Sequence, residues 1–141
     1  KLITTDATSM YTNISTQDGI NTIKKYLNTY HKELKSNIPI DLISELLKIV
    51  MTTNIFKFGN TWWKQIEGTA MGTSCACIYS TLYFGYFERQ ILLPKYKNNI
   101  ILFKRMIDDI LIIWNQTSPN NIEWENFIHD LNKCSSSTWE T

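Results

Sequence analysis

The alternation of apolar and polar positions along the chain predicts strands and helices in mixed order. In the opening "KLITTDATSMYTNIST", residues 2–5 form a short β-prone stretch that runs into Asp6 and then a polar turn. Ser15 and Asp18 stand at the spacing of a capping box, and Ile20, Ile23, Leu27 and Tyr30 recur along one face of the helix that follows. Pro39 suits the first turn of a second amphipathic helix carrying Ile43, Leu46, Leu47 and Val50 at three- and four-residue steps. "IFKFGNTWWKQI" reads as a hairpin, two β-rich runs joined by Gly59-Asn60, a pair that tolerates positive φ. "GTAMGTSCACIYSTLYFGYFERQ" opens with a glycine-rich turn and offers Thr73 or Ser74 as cap to a long helix. Cys75, Ile78, Tyr79, Leu82 and Tyr86 line one side of that helix, which is expected to be mostly core. After a connection at 94–99, residues 100–107 and 110–114 read as two buried strands of one hairpin. A helix over 122–132 follows the Ser118-Pro119 break. No repeat, low-complexity tract or linker divides the chain, so one α+β unit is expected.

Composition narrows the class. With 141 residues, 43% of them hydrophobic and 19% charged, the chain can bury one core and is neither disordered nor a disulfide scaffold. A formal net charge of +1 supplies no global field for a polyanion, which would have to be held by a local patch. Cys75, Cys77 and Cys134 are odd in number and lack a paired zinc spacing, which points to a reducing, intracellular compartment. The apolar runs fall far short of a membrane span, so no membrane partner is expected. The start within a strand, without Met, reads as an excised piece of something longer.

The chemistry centres on "FKRMIDDILIIW", where two adjacent carboxylates sit between apolar runs. Neighbouring residues on a regular strand face opposite ways, so Asp108 and Asp109 converge only if the backbone turns there. Two carboxylates at close range become tolerable when a divalent cation neutralises them, and hard oxygens are what magnesium prefers. An exposed acidic turn is the plainer alternative. A third acid, Asp6, ends another apolar stretch; if the two strands lie side by side, all three reach one edge of one sheet and two ions could bridge them.

"DATSMYTNI", "QIEGTAMGTSCACIYSTLYFGYFE" and "FKRMIDDILIIW", in that order, resemble the A, B and C motifs of reverse transcriptases, most closely those of Penelope-like retroelements, relatives of telomerase. The resemblance covers about the whole chain: motif A at 2–14, fingers-proximal helices and hairpin at 16–66, motif B at 67–90, motif C at 100–114, and at 122–132 the helix that precedes motif D. It implies a right-hand polymerase palm, an antiparallel sheet backed by helices with part of the fingers, as an incomplete fragment of 1–141. The implied activity is RNA-directed DNA polymerisation, with two Mg2+ ions, or Mn2+ in their place, an RNA template, a DNA primer and deoxynucleoside triphosphates. One ion would activate the primer 3′-hydroxyl while the other holds the triphosphate and the leaving pyrophosphate. In a eukaryotic retroelement the address would be nuclear.

Carried onto this chain, the resemblance makes Asp6 and Asp108 the bridging metal ligands, with Asp109 a supporting acid and the Ala7 carbonyl a further ligand. Tyr11 takes the place of the aromatic steric gate under the incoming sugar; a ring there leaves no room for a 2′-hydroxyl, and the alternative is an ordinary core aromatic. Met71 and Gly72 stand where many relatives have Gln-Gly beside the nascent base pair, although Gly68 and Gly72 read equally as hinges. Lys104 and Arg105 would face a nucleic-acid backbone, or form a solvated rim, and Met106 would pack at the primer end. The basic fingers strands, the motif D lysine, the thumb and any endonuclease are expected outside these residues, and the fragment alone is expected to be inactive. Two rivals remain: an inactive RNA- or protein-binding relic of such a domain, and an RNA-dependent RNA polymerase, which Tyr11 and the "AMG" turn disfavour.

Overall fold

The computed structural model describes residues 1–33, 37–116, 122–135 and 138–140. Along the chain run β1 (Leu2–Thr8), α1 (Met10–Asn13), α2 (Thr16–Tyr30), α3 (Ile40–Thr52), β2 (Ile55–Phe58), β3 (Thr61–Lys64) and α4 (Ala76–Phe87). A π-helical turn (Glu88–Leu92), α5 (Leu93–Lys95), β4 (Ile100–Met106), β5 (Asp109–Trp114), α6 (Ile122–Ser135) and β6 (Thr138–Glu140) follow. The class is α+β with antiparallel sheets. The chain divides into two units, one of residues 1–10 and 84–141, the other of residues 11–83. The Ser118-Pro119 break lies outside the described residues. No helix among the described residues is long and apolar enough to cross a membrane.

The first unit is built on a four-stranded sheet in the order β4-β5-β1-β6, every neighbouring pair antiparallel. Alternation decides its two faces. Ile3, Thr5 and Ala7 of β1 and Ile110, Ile112 and Trp114 of β5 are buried, whereas Thr4, Asp6, Asp109 and Leu111 are exposed. The strand expected to stop before Asp6 continues to Thr8, because β1 is flanked by β5 and β6 and its inward alternation carries on through Ala7. The expectation of two buried hairpin strands holds for β5 alone; β4 is an edge strand with no fully buried residue. Behind the sheet, Trp114 packs against Tyr96, Trp124 and Phe127 with ring centroids 5.1 to 6.0 Å apart. Asp130 of α6 accepts hydrogen bonds from the Tyr96 hydroxyl, at 2.7 Å, and from the Lys95 ammonium.

In the second unit α2 packs on α3 and buries Ile20, Ile23 and Leu27, as their spacing predicts. The capping box does not form: Ser15 makes no side-chain cap bond, and the Asp18 carboxylate instead accepts the Tyr83 hydroxyl at 3.1 Å. On α3 the expected apolar face is largely outside. Apolar residues occupy one broad face of this helix, opposite Asp41, Glu45 and Lys48, yet Leu42, Leu46, Ile49 and Val50 on that face are exposed and the fully buried positions, Ser44 and Met51, lie at its margin. On α4 apolar residues surround the helix and spacing cannot select a side: Ile78 is exposed and the buried stripe runs through Ala76, Tyr79, Ser80, Tyr83 and Phe84. The hairpin β2–β3 forms with its two-residue turn, taking positive φ at Gly59 but not at Asn60. All eight of its strand residues are exposed.

Candidate active site

Three acids lie at one end of the first unit's sheet. Asp6 and Asp109 are direct partners across β1 and β5, so their side chains leave the same, outward face. Asp108 precedes Asp109 in the two-residue turn Ile107–Asp108 that joins Met106 to its partner Asp109. The turn therefore ends before Asp109, which begins β5 instead of sharing the bend. The Ala7 N–H donates to the Asp108 carbonyl at 3.2 Å, tying the turn to the neighbouring strand. Asp6 and Asp109 are exposed and Asp108 half-buried.

Like charges held at adjoining register positions repel, and none of the three acids forms an ion pair among the described residues. The exposed carboxylates of Asp6 and Asp109 retain freedom about χ1 and χ2, and all six oxygens of the three acids are hard donors of the kind magnesium or manganese takes, so the donor set suits a divalent cation. In the side-chain arrangement present, no group of three His, Cys, Asp or Glu among the described residues is disposed to hold a metal ion. The pairing of β1 with β6 also sets Glu140 opposite Asp6 in register, a position that nothing in the local pattern distinguishes.

Alternation on β4 separates the residues expected to meet nucleic acid. Lys104 and Met106 are exposed on the outward face, Met106 paired with Asp109 and Lys104 with Leu111. An open groove of 320 Å3 there includes Thr4, Lys104, Met106, Asp109 and Leu111 in its lining. Contrary to the expectation that both face a nucleic-acid backbone, Arg105 does not join Lys104 on the outward face. It points inward, its side chain only 6% exposed, and forms an ion pair with Glu88, so it is no solvated rim. Its Nη2 reaches the second Glu88 oxygen at 3.3 Å, its Nη1 donates to the Ile107 carbonyl at 3.0 Å, and its Cζ lies 5.6 Å from the centre of the Phe84 ring. Glu88 closes the "YFE" phrase of the long helix, but its role is visible only once β4 lies beside it.

The residues expected to contact the nucleotide belong to the second unit. Tyr11, in the single turn of α1, is half-buried and its hydroxyl lies 3.5 Å from the Cys77 sulfur. The Tyr11 carbonyl accepts the Thr69 N–H at 2.7 Å, which ties the glycine-rich turn to α1. Gly68 makes that approach with φ +77°, and a Cβ there would meet the Thr12 backbone at 3.0 Å, so its hinge role is structural. Met71 is 76% exposed and Gly72 has open space around it.

No protein-family model matches this chain, and no curated protein matches it either.

Proposed function

We propose that this chain carries the metal site of an RNA-directed DNA polymerase, as part of a right-hand palm related to those of Penelope-like retroelements and telomerase. The observation that carries the reading is the register of Asp6 against Asp109, with Asp108 in the adjoining turn and bonded through its carbonyl to Ala7. Strands about a hundred residues apart in sequence place on one sheet end the three acids that the motif resemblance singles out. Magnesium, when bound, would supply Lewis-acid activation of a primer 3′-hydroxyl and neutralisation of the triphosphate.

Within that reading the chain's own residues position and select. Asp6 and Asp108 hold the cations, with Asp109 and the Ala7 carbonyl in support. Met106 and Lys104 offer the outward face of β4 to the primer strand and its phosphates. By the motif resemblance, Tyr11 would exclude a 2′-hydroxyl and so favour deoxynucleotides, and Met71 and Gly72 would contact the nascent base pair. RNA template, DNA primer and deoxynucleoside triphosphates are the partners, which places the reaction inside the cell and, in a eukaryote, in the nucleus. The test is primer extension on an RNA template by the full-length enzyme of which this palm would be part. Asp108→Ala should abolish magnesium-dependent extension and leave the circular dichroism spectrum unchanged; extension that survives the substitution refutes the assignment. Equal use of ribonucleotides would favour an RNA-dependent RNA polymerase instead.

A further inference from the structure

The Ile107–Asp108 turn is unusual in its backbone. Ile107 has φ +61°, a left-handed conformation that a β-branched residue adopts only when its surroundings impose it. Its carbonyl belongs to the peptide plane that also contains the Asp108 nitrogen, and that plane is rigid. Arg105 Nη1 holds this carbonyl at 3.0 Å, while the Ala7 N–H holds the Asp108 carbonyl at 3.2 Å on the other side. Both peptide planes flanking the Asp108 Cα are thus gripped, one by a side chain and one by a neighbouring strand.

Arg105 is itself held. Its Nε and Nη2 form a fork on the two Glu88 oxygens, its Cζ lies over Phe84, and the two charged side chains are 6% and 11% exposed. A planar guanidinium can present two nitrogens to a carboxylate and a third to a carbonyl; an ammonium cannot match that geometry.

We infer that Glu88 and Arg105 form a buried clamp that imposes the left-handed turn and so sets where the Asp108 carboxylate is presented, making both of them positioning residues of the metal site. This rests on the reading of Asp108 as a metal ligand.

Exchanging the charges tests it, because Glu88→Arg with Arg105→Glu keeps an ion pair but leaves no donor at position 105 for the Ile107 carbonyl. Arg105→Lys is the second variant, should the exchanged chain fail to fold. Two readouts are taken on the full chain: the one-bond Cα–Hα coupling of Ile107, which separates positive from negative φ, and Mn2+ affinity by electron paramagnetic resonance, with Asp108→Asn as reference. The clamp requires that Ile107 lose its positive φ and that Mn2+ affinity fall about tenfold or more, the range typical of residues that orient metal ligands. An Ile107 coupling that stays unchanged overturns the clamp. So does a relaxed turn with undiminished affinity where Asp108→Asn weakens it. If wild-type Mn2+ binding ignores Asp108→Asn, the metal-site reading falls and takes the positioning role with it, whereas the Ile107 coupling still reports on the clamp by itself.

Discussion

Alanine for glycine inside a helix is ordinarily stabilising, by about 1 kcal/mol. Gly19 in α2 should do the opposite. A Cβ at that position would lie 1.8 Å from the Tyr79 hydroxyl oxygen, 2.5 Å from its Cζ and 3.0 Å from the Ile14 Cγ2, so the ring has to move. Tyr79 is 1% exposed, and its hydroxyl donates to the Thr16 carbonyl at 3.2 Å. Forcing a methyl into a packed interior costs about 1–3 kcal/mol and the displaced hydrogen bond about 1 kcal/mol more. Set against the propensity gain, Gly19→Ala should lose about 1–3 kcal/mol, which for a chain of this size lowers Tm by roughly 4–12 °C. Thermal and urea unfolding followed by circular dichroism measure this. Tyr79→Phe removes the atom nearest the new methyl, so the cost of Gly19→Ala should shrink in that background. A Gly19→Ala chain as stable as the parent, or a double variant whose losses simply add, would show that Tyr79 does not pack on α2 in this way.

Other expectations follow from single groups. The Thr69 hydroxyl is buried with no hydrogen-bond partner among the described residues, so Thr69→Val should be neutral or stabilise by about 1 kcal/mol in urea unfolding. Burial raises the Tyr79 hydroxyl above its ordinary pKa of 10.0, so the unfolded chain loses that proton first. Stability present below about pH 10 should therefore decline above it, and Tyr79→Phe should flatten that part of the alkaline limb of a pH-stability curve. In acid, the hydrogen bond from Lys95 holds the Asp130 carboxyl below its ordinary 3.8. The stability it contributes is present above about pH 4 and lost as pH falls through the lowered value, so Asp130→Asn should blunt the loss measured between neutral and strongly acid buffer.

Much of the local structure was legible in the residues themselves. The Gly59 hairpin, the turn at the acid doublet, the inward Ile20, Ile23 and Leu27 face of α2 and the final helix all follow from patterns a few residues long, because turn chemistry and helical or strand period are local constraints. Where apolar residues surround a helix, as on α4, period carries no information about the buried side; on α3 the period marks a clear apolar face, but which part of it is covered is decided by the neighbouring elements.

The candidate site divides along the same line. That a bend joins two strands beside the acid doublet is written in "MIDDI", and so is Asp6 within a β-prone stretch; that the bend is Ile107–Asp108 and leaves Asp109 in β5 is not. Which of the two later acids faces Asp6 depends on strand register, a property of residues about a hundred positions apart that no window of sequence contains. Arg105 makes the point most sharply: beside Lys104 it looks like half of a basic rim, yet strand alternation turns it inward to Glu88 and the Ile107 carbonyl, where burial makes an unpaired charge untenable.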